Sequence, residues 1–389
     1  MESWVYGVAA LIAFWSGLYI ARQFLPKNFE VHPFLIMWKT TKFNNFIDRL
    51  GKKLRRFYMI CFTLGIAIST GAMVYIFFIL ARNLFFIIFQ TESASPVTLV
   101  IPGITLSLDF NTLFFFGISI AVILITHELA HGVAARAEGV KVKSTGLMLL
   151  AIIPGAFVEP DEEDLNKAKK STQARVYAAG TTTNILIGLF CLALISVPGL
   201  IVSPFYESTP SGVQIIGVVA GSPADGTLRV WDAITSVNGT PVTDPQSFSA
   251  VLTSITANST VPITYLRDGA EQSVSLTLGT SPRGNFSYVG VNTFTYYAPK
   301  YSFMPTTLPF YLLGSLSSLY LWSLNIGLIN MMPAAPFDGE KLATTLLRFV
   351  IKNEKKAVSI ANIMKWGSLA ILILNIVLSF IIFPNFRIG

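Results

Sequence analysis

The run Thr126-His127-Glu128-Leu129-Ala130-His131 holds three residues of types that perform metal-assisted hydrolysis. On a helix, His127 and His131 stand four residues apart and share one face. Two imidazoles one turn apart can ligate a single zinc ion, and Glu128 can act as general base on a water molecule held there. The alternative is two ordinary helical histidines beside a surface glutamate. The setting weighs against it. The motif directly extends an apolar run that starts at Phe110, and ionisable side chains at membrane depth are costly and point to function. Of the three histidines in the chain, His32, His127 and His131, two fall in this motif.

A catalytic zinc site takes three protein ligands and keeps one position open. The two cysteines, Cys61 and Cys191, lie in long apolar runs and are too few for a cysteine-based site or a disulfide framework. His32 stands beside Pro33 in a basic loop. The third ligand should therefore be a carboxylate. Asp109 lies at the far end of the motif's apolar run, and Glu138 and Glu159 lie in the basic loop that follows it. Asp338 differs. It closes Asn330-Met331-Met332-Pro333-Ala334-Ala335-Pro336-Phe337-Asp338-Gly339, where two prolines break a helix and Gly339 permits a tight turn. Irregular backbone at membrane depth is tolerated only where protein or a water cavity surrounds it. The competing reading is a plain helix-ending turn.

These residues need a membrane scaffold, and the composition supplies one. The chain is 52% hydrophobic and 13% charged, against about 25% charged in soluble domains. The net charge of +7 gathers in a few loops, which argues against a nucleic-acid partner and for membrane topology. Six uncharged stretches are long enough to cross a bilayer, for which about 20 residues suffice: Ser3–Ala21, Phe57–Ala81, Phe110–Thr126, Val176–Tyr206, Leu308–Met332 and Trp366–Phe386. Only Glu2 precedes the first, and Arg22 and Lys27 follow it, so a retained span is expected rather than a signal peptide. Lysines and arginines fill the first loop, the loop after the histidines and the loop before the last span. Both termini are therefore expected outside, with the His-Glu motif and Asp338 near the cytoplasmic face. In the first loop Phe43, Phe46, Ile47, Leu50 and Leu54 recur at helical spacing, as in an interfacial amphipathic helix; a solvated basic linker is the other reading.

Residues 207–300 change character, with short alternating segments between Gly, Pro, Asn and Asp. Gly221-Ser222-Pro223-Ala224, Leu228, Asp232-Ala233-Ile234 and Val237-Asn238-Gly239 resemble a PDZ domain, with Trp231-Asp232 where a Gly-Asp pair is usual. Such domains commonly capture peptides by adding a strand to a sheet edge. The apolar run Gly146–Glu159, interrupted by Pro154-Gly155, is too short to span. It could form a re-entrant β-hairpin whose edge holds an extended substrate, or an ordinary buried loop. The expected organisation is two accessory spans and a basic loop (1–90), a first catalytic part (91–206), the PDZ-like domain (207–300), a second catalytic part (301–345) and a last span (346–389).

His-Glu-x-x-His in a transmembrane helix, followed by Asn-x-x-Pro-x-x-x-x-Asp-Gly, resembles the site-2 protease family of intramembrane zinc metalloproteases. Ala179-Gly180-Thr181-Thr182-Thr183-Asn184, expected to open the fourth span, is similar to the family's Gly-Pro-x-x-Asn with Thr181 in place of proline. Pro154-Gly155-Ala156-Phe157-Val158-Glu159 looks like the loop after the motif helix, and an inserted PDZ domain fits many members. The resemblance covers about residues 110–345. It implies a polytopic α-helical membrane protein with a mainly β PDZ-like insertion. It also implies one zinc ion per chain on His127, His131 and Asp338, Glu128 as base, and Asn184 and Asn330 as polar groups near the scissile carbonyl. The implied substrates are transmembrane segments of other proteins, cut in regulated intramembrane proteolysis, with peptide binding at the PDZ-like domain and a cell-membrane location. A transporter would need intramembrane charges in several spans and repeated halves, and neither is present. A noncatalytic scaffold has no use for Glu128.

Overall fold

The computed structural model describes residues 3–101, 103, 105–150, 153–281, 284 and 286–383, without the side chains of 3–11, 150, 153 and 154. Helix α1 (Ser3–Ala21) leads into strands β1 (Phe29–His32) and β2 (Leu35–Thr40), then α2 (Asn44–Lys53) and α3 (Arg55–Phe89). Helix α4 (Phe110–Ala137) carries the motif. It is followed by β3 (Val142–Leu150), β4 (Ile153–Pro160), α5 (Glu162–Lys167), α6 (Lys170–Ile195) and α7 (Pro198–Val202). A β-rich stretch comes next: β5 (Gly212–Val218), β6 (Ala233–Val237), β7 (Thr240–Pro241), α8 (Pro245–Ser254), β8 (Thr260–Arg267), β9 (Ala270–Thr277), β10 (Gly279–Thr280), β11 (Ser287–Tyr288) and β12 (Val291–Tyr296). Helices α9 (Leu308–Asn330), α10 (Asp338–Val350) and α11 (Glu354–Ile382) complete the order.

Among the described residues five helices, α3, α4, α6, α9 and α11, are long and apolar enough to cross a membrane, and α1 coincides with the first expected stretch. Their ends differ from the expected spans. Helix α3 continues to Phe89 and absorbs Asn83, whose amide donates to Asn375 Oδ1 of α11 at 2.9 Å. Helix α6 starts at Lys170 and passes through 179–184 without a break, so Asn184 is mid-helix and not at a helix start. Thr181 keeps the N–H that proline lacks, and nothing interrupts the ladder there. The same helix stops at Ile195, and Pro198 opens α7 instead of continuing to Tyr206. Residues 384–386 of the expected last span lie outside the described residues.

The chain divides into two compact units, Met1–Phe190 with Ser318–Gly389, and Cys191–Ser317. In the second, the strands order as β12-β5-β6-β8-β9, with β7 beside β6. Their inward side chains, Val213, Ile215, Ile234 and Ile263 among them, are fully buried, as a PDZ-like β fold requires. Trp231, in the place of the usual glycine, holds φ +77. That conformation costs a side-chain-bearing residue about 1–2 kcal/mol; the ring packs edge-on to Phe310 at 5.5 Å, which offsets part of it. Asp232 is buried and paired with Arg267 at 2.6 Å.

In the first unit the sheet runs β1-β2-β3-β4, all antiparallel. The basic first loop is thus folded and not a linker. Its β2 pairs with β3 from Leu35↔Leu150 to Thr40↔Thr145. Its α2 lies on α4: Ile47 is 2% exposed, and a Cβ on Gly132 would meet Ile47 Cγ2 at 3.3 Å. Asp48 pairs with Arg136 of α4. The run Gly146–Glu159 does form a hairpin, with Leu149↔Pro154 and Met148↔Gly155 in register. Pro154 and Gly155 therefore belong to strand β4 and do not form the turn expected there. Pro154 is tolerated in β4 because β4 is an end strand whose far side carries no ladder.

Candidate active site

Helix α4 presents His127 and His131, both buried, on one face. Asp338 reaches them from the first residue of α10. Before it, the chain leaves α9 at Asn330 and crosses 331–337, where Met331, Met332 and Ala334 are fully buried. Pro333 and Pro336 prevent helix in that segment. Gly339 is needed for a close approach: a Cβ there would lie 2.3 Å from the Met331 carbonyl oxygen. The folded-back loop brings Asp338 Oδ2 to 3.1 Å from His127 Nε2 and 3.1 Å from His131 Nε2, with 3.2 Å between the two nitrogens.

This arrangement fits a zinc ion on three counts. In a tetrahedral set with ligand distances of about 2.0–2.1 Å, donors stand about 3.3 Å apart, close to the spacings found here. Next, His131 Nδ1 lies 2.7 Å from the Val176 carbonyl oxygen. A carbonyl only accepts, so Nδ1 carries the proton and Nε2 points a bare lone pair at the centre. Finally, the Asn184 amide lies 3.1 Å from His127 Nδ1, while Asn184 Oδ1 is buried without a partner. Turned by 180°, the same amide accepts the Nδ1 proton through Oδ1, and His127 Nε2 also faces the centre unprotonated; such orientations are assigned from the bonding network. Three acceptor atoms then converge with no proton between them, and a cation resolves that.

One face of α6 holds both rings. Val176, Gly180 and Asn184 follow at four-residue intervals, so they stack along that face. Val176 orients His131 and Asn184 orients His127. Gly180 leaves the room between: a Cβ there would sit 2.5 Å from both His127 Nε2 and His131 Nε2. The motif around Gly180 is visible in the sequence, but the role of the glycine is not; an isolated glycine inside a helical pattern, four residues before Asn184, is the signal that points to it.

Glu128 is half-buried, and its Oε2 accepts from the Val158 N–H of β4 at 3.2 Å. With His131 and Asp338 it lines a cavity of about 690 Å³ whose other walls include Lys39, Lys143 and Lys341. Lys39 pairs with Glu30 at 2.9 Å and Glu159 at 3.6 Å, and its hydrogen bond to Glu30 pushes its pKa up from the ordinary lysine range. Asn184 is fully buried behind His127, whereas a place beside a scissile carbonyl would need it to face the cavity. Asn330 is half-buried at the end of α9. The other carboxylates considered are engaged elsewhere: Asp109 caps α4, Glu138 pairs with Arg175, and Glu159 accepts from Ser144.

A sequence model of peptidase family M50 matches residues 115–375. The chain belongs to peptidase family M50. It is a membrane protein of a protease family, and the HExxH helix, the α6 face and Asp338 all lie in the matched segment. An uncharacterized protein of Methanocaldococcus jannaschii is 26% identical over 75% of this chain and 74% of its own length. A membrane-bound transcription factor site-2 protease homolog of Arabidopsis thaliana is 26% identical over 54% of this chain and 40% of its own. The PDZ domain of an SdrC-like protein from Listeria monocytogenes is 24% identical, covering 22% of this chain and 90% of that domain at a TM-score of 0.21.

Proposed function

We propose that this M50 peptidase is an intramembrane zinc metalloprotease that hydrolyses peptide bonds within or near transmembrane segments of other proteins. The convergence of His127 Nε2, His131 Nε2 and Asp338 Oδ2 beside Glu128 carries the reading. His127, His131 and Asp338 would hold a zinc ion, which would supply Lewis acidity toward a water and the substrate carbonyl. Glu128, steadied by the Val158 N–H, takes the proton from that water and returns it to the leaving amine. Val176 and Asn184 keep both rings in the tautomer that ligates, and Asn330 is the remaining candidate donor to the developing oxyanion.

The substrate backbone must be extended at the cut. Strand β4 pairs on one side only. Val158 N–H points away from β3, so by alternation Ala156 N–H and C=O face the same open edge. An unwound substrate segment can add there as a further strand. The basic loops favour an active site toward the cytoplasm and a PDZ-like domain and both termini outside. A role in regulated intramembrane proteolysis at the cell membrane, with the PDZ-like domain engaging substrate ectodomains or peptides, rests on the family. The test is cleavage of a transmembrane peptide by the purified full-length chain. Wild type should cut, while Glu128→Gln and chelator-treated protein should not. Normal cutting by Glu128→Gln overturns the mechanism.

A further inference from the structure

The matched family segment begins at residue 115, yet residues before it build a second cavity at the same glutamate. This groove of about 410 Å³ is apolar, lined by Trp38 of β2, Phe46 of α2, Ile125 of α4 and Leu147 of β3. Glu128, Phe157 and Val158 line both it and the polar cavity. The base therefore sits on a partition between a space lined by both lysines and carboxylates and an apolar one.

The sheet explains the division. Trp38, Leu147 and Ala156 are cross-strand neighbours in one row, and Thr40, Thr145 and Val158 in the next row of the same face; all six line the groove. The alternate positions Met37, Lys39, Phe157 and Glu159 line the polar cavity. Side chains of a strand alternate between faces. A substrate strand added at the open edge of β4 would thus turn one side chain toward the apolar groove and the next toward the charged cavity. Residues of a transmembrane segment are mostly apolar, and each large side chain gains by leaving water. The groove shares Glu128, Phe157 and Val158 with the catalytic cavity, and among its described lining residues Glu128 is the one ionisable group.

We propose that Trp38, Phe46 and Leu147 form a specificity subsite that receives a bulky apolar side chain flanking the scissile bond of a transmembrane substrate. The proposal rests on the protease reading above. It makes the loop between α1 and α3 part of substrate selection and not only an accessory.

The test uses the full-length zinc-loaded chain and a set of transmembrane peptides in which each residue around the cut is in turn Ala, Leu or Phe. Wild type should favour Leu or Phe over Ala at one position by about tenfold or more in kcat/KM, with weak preference at its immediate neighbours. Trp38→Ala and Phe46→Ala should bring that ratio toward one, mainly by lowering kcat/KM for the Leu and Phe peptides. Leu147→Trp should reject the Phe peptide, and Phe46→Leu should keep the ratio. A benzophenone side chain at position 46 of the Glu128→Gln chain should crosslink to the peptide at the favoured position. Equal effects on every peptide, or crosslinks to lipid acyl chains alone, overturn the subsite. Cleavage without positional preference overturns the subsite and leaves the protease standing; no cleavage of any peptide overturns both.

Discussion

Gly180→Ala sets two physical effects against each other. Inside a helix the exchange ordinarily stabilises by about 0.5–1 kcal/mol. Here the new methyl would lie 2.5 Å from His127 Nε2 and 2.5 Å from His131 Nε2, where ordinary contact begins at 3.4 Å. The rings cannot retreat, because Val176 and Asn184 hold their far nitrogens at 2.7 and 3.1 Å. The methyl takes the space a ligated ion needs. Loss of a residue that only supports metal ligands costs about 10–100-fold in affinity. A group pressed onto the ligands themselves should reach the upper end, about 100-fold, or about 2.7 kcal/mol. The assay is zinc content of the purified full-length protein and competition with a chelator of known affinity, with far-UV circular dichroism and thermal unfolding to show that the variant is folded. The expected outcome is a folded, zinc-poor, inactive protein. A Gly180→Ala chain that binds zinc within a few-fold of wild type would falsify the placement of α6 against the metal centre.

Glu128→Gln should retain zinc while cleavage falls by about 10²–10⁴-fold, read by metal analysis and peptide kinetics on the same preparation. Asn184→Ala should weaken zinc by about 10–100-fold, with cleavage recovering at saturating zinc; loss of activity unrelieved by zinc would give Asn184 a direct part in the reaction. Ile47→Ala should cost about 2–5 kcal/mol and loosen α2 from α4, seen as faster hydrogen exchange over residues 44–53. In the PDZ-like domain, the backbone N–H of Ser247 holds the Asp244 carboxyl below the usual carboxylate range. A depressed acid stabilises above its unfolded pKa of about 3.9 and loses that contribution as pH falls through the folded value. Asp244→Ala should therefore weaken α8 by about 1 kcal/mol at neutral pH, and less under strong acid; an equal loss at both extremes would refute the cap's charge dependence.

The cluster of candidate metal ligands was legible in the sequence because its chemistry is local or punctuated. His127, Glu128 and His131 share one turn, and Asp338 is flagged by prolines that forbid helix and by Gly339. The apolar helices were legible because the length of an uncharged run suffices to find them. The roles of Gly180 and Asn184 were not, since they depend on which face of α6 meets α4, a packing choice outside any single segment. The hairpin was anticipated, but its turn was misplaced. Pro154-Gly155 reads locally as a turn, whereas the pairing of β3 puts both residues in an end strand. The basic first loop showed its helix in Phe46, Ile47 and Leu50. Its strands were hidden, because β2 finds its partner only after α3 and α4 have brought β3 alongside.

That pairing has a consequence for how the chain can be made or trimmed. Strand β2 leaves the ribosome well before β3, so β3 meets a ready-made partner when it emerges. A chain begun at residue 115 would offer β3 with its inner edge bare, a row of unpaired amides and carbonyls beside exposed Leu147. Such an edge invites pairing with the same strand of another molecule. Minimal fragments cut to the family boundary should therefore self-associate, whereas chains that keep β2 should not.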